Sequence, residues 1–216
     1  MLLAVGPGDH SNGYVGVQAL TDPFANLPKG QAGAIYADPP WGFKVWSGPE
    51  KVVASRGTVA PYKTMEMEEI AALPVGDLAA KDCVLFLWVV FPTLPEALKI
   101  IDSWGFTYKT CAFSWMKADQ FRLFALEEDV YMGLGYWTRA NSEICLLATR
   151  GKPKRQHADV RQGIIEPKRY HSRKPDCVYD RIERLVPGPY IELFARTTRP
   201  GWQSWGNQVG KFGEVA

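Results

Sequence analysis

The chain has 216 residues, 46% of them hydrophobic, a formal net charge of +2 and four cysteines, enough for one mixed α/β domain with a full core and too little for a second independent one. No run approaches the roughly 20 apolar residues of a membrane span, and the apolar start Met1-Leu2-Leu3-Ala4-Val5 lacks the basic flank and length of a signal peptide, so the expected location is cytoplasmic. Cys83, Cys111, Cys145 and Cys177 are scattered, as are His10, His157 and His171, which argues against a zinc site, a redox pair or a histidine-based triad; no metal is expected.

Residues 1–30 are rich in Gly, Pro and Asn and read as an irregular N-terminal segment of a single domain spanning 1–216. The first strand is 34–37, which runs into Asp38-Pro39-Pro40-Trp41, where two prolines remove backbone donors and stop the ladder. Residues 42–63 lack a pattern and read as a long mobile loop. Thr64 caps a helix over 65–73, with Glu66, Glu68 and Glu69 in its first turns. A strand at 84–90 is followed by a helix over 94–104, with Leu94, Leu98 and Ile101 on one face and Gly105 at its end. A weakly alternating strand over 107–116 comes next, and 118–140 reads as a loop with a short helix. Strands at 143–149 and 160–165, a helix over 176–185 opened by Pro175, and a strong strand at 190–195 complete the series.

Strands separated by helical segments predict an α/β fold with a doubly wound, mostly parallel sheet covered on both faces. Ligands in such sheets bind beyond the carboxyl ends of the strands. The Asp38 tetrapeptide and residues 192–196 both stand at such ends and are expected to share one crevice.

The chemistry these residues suit is alkylation of a planar nitrogen. An exocyclic amine on a heteroaromatic ring is a poor nucleophile because its lone pair is delocalised, and two acceptors on its N–H bonds localise that pair. Asp38 and the Pro39 carbonyl are the candidate acceptors, Pro39 and Pro40 stiffen the loop that carries them, and Trp41 offers a face on which a base can stack. The positive excess is concentrated in one segment holding Lys152, Lys154, Arg155, Arg161, Lys168, Arg169, Arg173 and Lys174, which fits phosphate contacts as well as a solvated loop. No Gly-x-Gly-x-x-Gly opens a helix after a strand, which disfavours a nicotinamide enzyme.

The tetrapeptide resembles the DPPW signature of the adenine-N6 methyltransferase family typified by the catalytic subunit of the eukaryotic mRNA adenosine methyltransferase, a family with bacterial and phage members. The likeness covers roughly 34–208. It continues through Pro61-Tyr62-Lys63-Thr64-Met65, Leu85-Phe86-Leu87-Trp88-Val89, Ser172-Arg173-Lys174-Pro175-Asp176, Ile182-Glu183-Arg184-Leu185, Glu192-Leu193-Phe194-Ala195-Arg196 and Trp205-Gly206-Asn207-Gln208, all in the family's order. The resemblance implies a Rossmann-like fold dependent on S-adenosylmethionine, with the catalytic block preceding the cofactor strand in a permuted motif order. It implies that Glu192 bonds the cofactor's ribose hydroxyls, and that Arg196, Thr198, Asn207 and Gln208 complete the ribose and adenine contacts, with Phe194 in the same block. Lys174 would pair with the methionine carboxylate, Asp38 would approach the methionine amino group, and Asp22 would stand for the acid that contacts the cofactor's adenine in relatives. Tyr62 would close over the site and Glu143 would line its substrate side.

The expected activity is therefore transfer of a methyl group to N6 of adenine in a nucleic acid, DNA favoured over RNA, with Lys154, Arg155 and Arg169 as phosphate contacts. Two alternatives stay open: a non-catalytic nucleic-acid-binding partner subunit, and a methyltransferase for a small-molecule or protein nitrogen. The retention of Asp38, Lys174 and Glu192 speaks against the first, and the flanking blocks against the second. Whether the chain works alone or as a homo- or heterodimer is not written in the sequence.

Overall fold

Hydrophobic alternation in the central strands sorts their side chains onto two faces, and each face acquires its own core. The computed structural model describes residues 22–42, 53–54, 58–59, 64–118, 130–133, 137–169 and 173–215. In chain order the elements are β1 (Ala32–Ala37), the short pair β2 (Val53–Ala54) and β3 (Thr58–Val59), α1 (Met67–Ala71), β4 (Ala79–Val89), α2 (Leu94–Ser103), β5 (Thr107–Ala118), β6 (Ser142–Arg150), β7 (Gly163–Pro167), α3 (Cys177–Leu185), β8 (Tyr190–Leu193) and β9 (Trp202–Trp205). Along β1 and β4, Ile35, Ala37, Leu85 and Leu87 point to a core shared with Ile70 of α1 and Ile100 and Ile101 of α2. Their neighbours Ala34, Tyr36, Val84, Phe86 and Trp88 point to the opposite core, which holds Val178, Tyr179 and Ile182 of α3. Period-2 alternation on strands buried on both faces produces this division.

Seven strands form one sheet in the order β7-β5-β6-β4-β1-β8-β9. The sheet is mixed. β1 pairs in parallel with β4 and β8, β8 with β9, and β5 with β7, whereas β6 runs antiparallel to both β4 and β5. The expected doubly wound, mostly parallel sheet is corrected in one strand: β6 is the antiparallel neighbour of both β4 and β5, so its amino end, not its carboxyl end, lies beside the carboxyl ends of β1 and β4.

Several boundaries move for identifiable reasons. Thr64 does not cap α1. Met65 donates its N–H to the Pro40 carbonyl at 3.0 Å and bridges Trp41, so the chain stays extended until Glu66, which forms a capping box with Glu69. The strand predicted to reach 195 ends at Leu193, because Phe194 turns into the left-handed region with φ 61°. β9 has no counterpart in the sequence reading, and β2 and β3 pair within the segment read as a loop. Most of the predicted short helix in 118–140 lies outside the described residues.

Candidate active site

The carboxyl ends of β1 and β8 meet at a cleft open to solvent, whose walls include Tyr36, Asp38, Lys174, Tyr179, Glu192, Phe194, Arg196, Thr197 and Phe212. Register explains the convergence. Tyr36 stands beside Glu192 and Ala37 beside Leu193, so Asp38, the next residue along, emerges next to the end of β8. Lys174 arrives on the segment that enters α3, on the face of the sheet that α3 covers, with its ammonium over the Trp88 ring.

Asp38 is the node of an ion chain. The Lys174 ammonium donates to both of its carboxylate oxygens at 2.7 Å, and Arg196 Nη2 lies 3.4 Å from Oδ2. Lys174 also lies 3.3 Å from Glu143 Oε2 and 5.4 Å from the centroid of the Trp88 ring. Burial disfavours the Lys174 charge, but Asp38 and Glu143 outweigh it and hold the ammonium well above the usual lysine range. Burial likewise pushes the Glu143 carboxyl up, and the charges of Lys174 and Lys117 reverse that and hold it at about 2. Both groups are therefore ionised at neutral pH.

Glu192 sits in a different environment, with 7% of its surface exposed. Burial raises its carboxyl to about 8; the Tyr179 hydroxyl, donating at 2.9 Å, opposes the rise only in part, and the Asp38 charge adds to it. The Tyr179 oxygen is also 2.9 Å from Thr197 Oγ1, so Tyr179, Thr197 and Glu192 form one buried network. Gly206 lets the following turn approach: a Cβ there would fall 2.6 Å from the Ala195 carbonyl oxygen. That turn carries Phe212 back to the cleft, with its N–H donating to the Arg196 carbonyl at 3.1 Å.

The remaining predicted residues divide. Trp41 is 7% exposed, packs in the core shared with α1 and α2, and donates its indole N–H to the Trp88 carbonyl at 2.9 Å. This burial makes it an anchor for the Asp-Pro-Pro loop in place of an open stacking face. The Pro39 carbonyl already accepts the Trp41 N–H at 2.9 Å, leaving one lone pair for a substrate. Asp22 does not line the cleft; it accepts the Phe24 N–H and pairs with Lys29 at 2.7 Å, as a turn residue does. Thr198 is tied by its backbone to Gly213 and Val215, and Asn207 and Gln208 occupy the turn after β9, next to the cleft and outside its lining. Tyr62 lies outside the described residues.

The basic segment is split across the molecule. β6 begins at the cleft and runs away from it for nine residues, roughly 30 Å. Arg150 pairs with Cys83, the Lys152 N–H donates to Asp82, and the Gln156 N–H meets the Leu185 carbonyl at the far end of α3. Lys154 and Arg155, expected as phosphate contacts, therefore stand at the end of the sheet opposite the cleft, where they fit the solvated-loop reading of the segment. Arg169 follows β7 at the cleft end, where it pairs with Asp176 and Glu166. Sequence reasoning missed Tyr179, Thr197, Phe212 and Lys117. Of these, only Tyr179 carried a signal, as a polar-tipped residue on the inward face of α3.

Comparison with known proteins places this α/β chain among methyltransferases. A Type II methyltransferase, M.MunI, from Mycoplasma sp is 32% identical over 208 residues, covering 89% of this chain and 84% of that protein. A putative N(6)-adenosine-methyltransferase MT-A70-like protein of Medicago truncatula is 32% identical over 185 residues, and the human N(6)-adenosine-methyltransferase catalytic subunit METTL3 is 31% identical over 186; each match covers 83% of this chain. The chain spans 27% and 28% of those two plant and human proteins. The family model described as MT-A70 matches residues 33–208, and the chain belongs to that family.

Proposed function

We propose that this chain transfers a methyl group from S-adenosylmethionine to N6 of adenine in a nucleic acid, in the cytoplasm, with DNA as the favoured polymer. The observation that carries the proposal is the meeting of Asp38, Lys174 and Glu192 in one cleft at the strand ends. Their chemistry fits the cofactor: a lysine ammonium for its carboxylate, Asp38 for its amino group, and a buried acid for its ribose diol. The Rossmann-like reading of the mixed sheet belongs to the same proposal, as do the roles of Phe194 and Arg196 in the cofactor wall. When bound, the cofactor supplies a methyl group activated by a sulfonium.

The protein's own contribution is placement. Lys174 occupies both Asp38 oxygens, so a carboxylate that competes for Lys174 releases one of them to accept from an amine while the other stays bonded to the ammonium, which keeps Asp38 in place. Asp38 and the free lone pair of Pro39 then draw the N6 lone pair toward the methyl carbon. With the cofactor held there, its methyl carbon would pass from sulfur to N6, and Asp38 would take the surplus N6 proton. N6 lies on the base-pairing edge, so the base must leave its stack first, at a cost of a few kcal/mol in a duplex. The lean to DNA is supported by the likeness to M.MunI, a Type II methyltransferase 32% identical over 208 residues.

The test is a panel of matched oligonucleotides, single-stranded and duplex, DNA and RNA, assayed for N6-methyladenine at one salt concentration. We expect faster transfer to unpaired adenine and to DNA. Activity confined to RNA would remove the DNA preference, and no transfer to any adenine by a folded, cofactor-binding protein would remove the assignment.

A further inference from the structure

Glu143 stands opposite Trp115 in the β5–β6 ladder, so Lys117, two residues further on, is its diagonal neighbour on the same face. The Lys117 ammonium lies 2.5 Å from Glu143 Oε1 and 5.3 Å from the centroid of the Trp115 ring. The Lys117 backbone is pinned from both sides: its N–H donates to the Asn141 carbonyl and its own carbonyl accepts the Tyr131 N–H, each at 2.8 Å. The two side chains are 17% and 11% exposed, so water has little room to replace either partner. The other oxygen of Glu143 faces Lys174, the residue that holds Asp38.

We propose that Lys117 is a positioning residue for methyl transfer: by fixing Glu143 it divides the Lys174 ammonium between Glu143 and Asp38, and so sets how the Asp38 carboxylate is presented to the substrate amine. The inference rests on the reaction proposed above. Without Lys117, the demand of buried Glu143 for a cation falls on Lys174 alone, which draws the ammonium off Asp38 and misplaces the acceptor. Among the described residues, Lys117 from β5 and Lys174 from the segment before α3 are the charged groups in contact with Glu143, with Asp38 and Arg196 beyond Lys174.

The test is a double-mutant cycle of Lys117→Met and Glu143→Gln, with Lys117→Arg as the conservative variant, read as single-turnover transfer to an adenine oligonucleotide at saturating S-adenosylmethionine. We expect Lys117→Met to slow transfer by about tenfold or more while cofactor affinity changes less than about threefold, and to add nothing in the Glu143→Gln background. Lys117→Arg should recover most of the rate. Losses that multiply independently, or that follow melting temperature with no rescue by Arg, would overturn the proposal. The double variant carries neither charge and covers the case in which Lys117→Met alone strands a buried carboxylate and fails to fold. A carbon-13 NMR titration of Glu143 in the cofactor-free protein reads the proposal without catalysis. Its carboxyl, held at about 2, should titrate at clearly higher pH in Lys117→Gln, and an unmoved titration would overturn the role of Lys117. An inactive wild type would count against the proposed reaction alone, leaving this titration to judge Lys117.

Discussion

Replacing Glu192 with Gln separates what the acid costs the fold from what it gives the cofactor. The folded Glu192 carboxyl holds its proton up to about pH 8, against an ordinary value of 4.5. Below pH 4.5 the group is protonated in both folded and unfolded chains and its contribution to stability is fully present. Between these values the unfolded chain has lost the proton that the folded chain keeps, so stability falls as pH rises, and it levels off above pH 8. At about 1.36 kcal/mol per pH unit the ceiling on this loss is about 5 kcal/mol, and relaxation around the Tyr179 donor should leave roughly 2 kcal/mol of it. The neutral amide is exempt, so Glu192→Gln should match the wild type near pH 4.5 and exceed it by roughly 2 kcal/mol at pH 9. Urea unfolding across pH 4.5–9 measures the difference, and calorimetry with S-adenosylmethionine should show affinity reduced by about tenfold or more. Parallel stability profiles for the two proteins would refute the burial argument, and undiminished cofactor affinity would refute the ribose contact.

Asp38→Ala should reduce transfer to below about a tenth of the wild-type rate, a loss of more than roughly 1.4 kcal/mol in the barrier, with circular dichroism unchanged. Trp41→Phe should cost about 1–2 kcal/mol of stability through the orphaned Trp88 carbonyl, measured by urea unfolding, because the indole is a buried anchor; a variant of undiminished stability that had lost oligonucleotide affinity would restore the stacking role. Lys154→Ala with Arg155→Ala should leave oligonucleotide affinity and its salt dependence nearly unchanged, since both lie at the far end of the sheet, whereas Arg169→Ala at the cleft end should lower the salt slope by about one. Glu143 acts on stability with the opposite sign to Glu192. Its stabilisation is present above its ordinary value of 4.5 and lost as pH falls toward 2, so Glu143→Gln should flatten the acid limb of the unfolding profile.

The nature of the elements was legible in the sequence, because hydrophobic runs and periodicity are local. The strands at β1, β4, β5, β6 and β8 and the helices α2 and α3 follow from apolar runs, from Pro175 and from Gly105, and the double proline after Ala37 marks a strand end at which chemistry could be placed. Composition also told against metal-centred and histidine-centred catalysis. What the sequence could not carry is whatever depends on which strand lies beside which. The direction of β6 reverses the polarity of everything attached to it, so the same strand delivers Glu143 to the cleft at its start and removes Lys154 and Arg155 at its end. A tryptophan after two prolines reads as an open face until its indole is seen bonded to Trp88, 47 residues away. Glu192 and Glu143 are the same residue type on neighbouring strand systems, yet one is held near pH 2 and the other near pH 8. At Glu143 two lysines outweigh burial, whereas at Glu192 burial prevails, the Tyr179 donor opposing it only in part and the Asp38 charge adding to it; only the packed sheet decides which neighbours a buried charge receives.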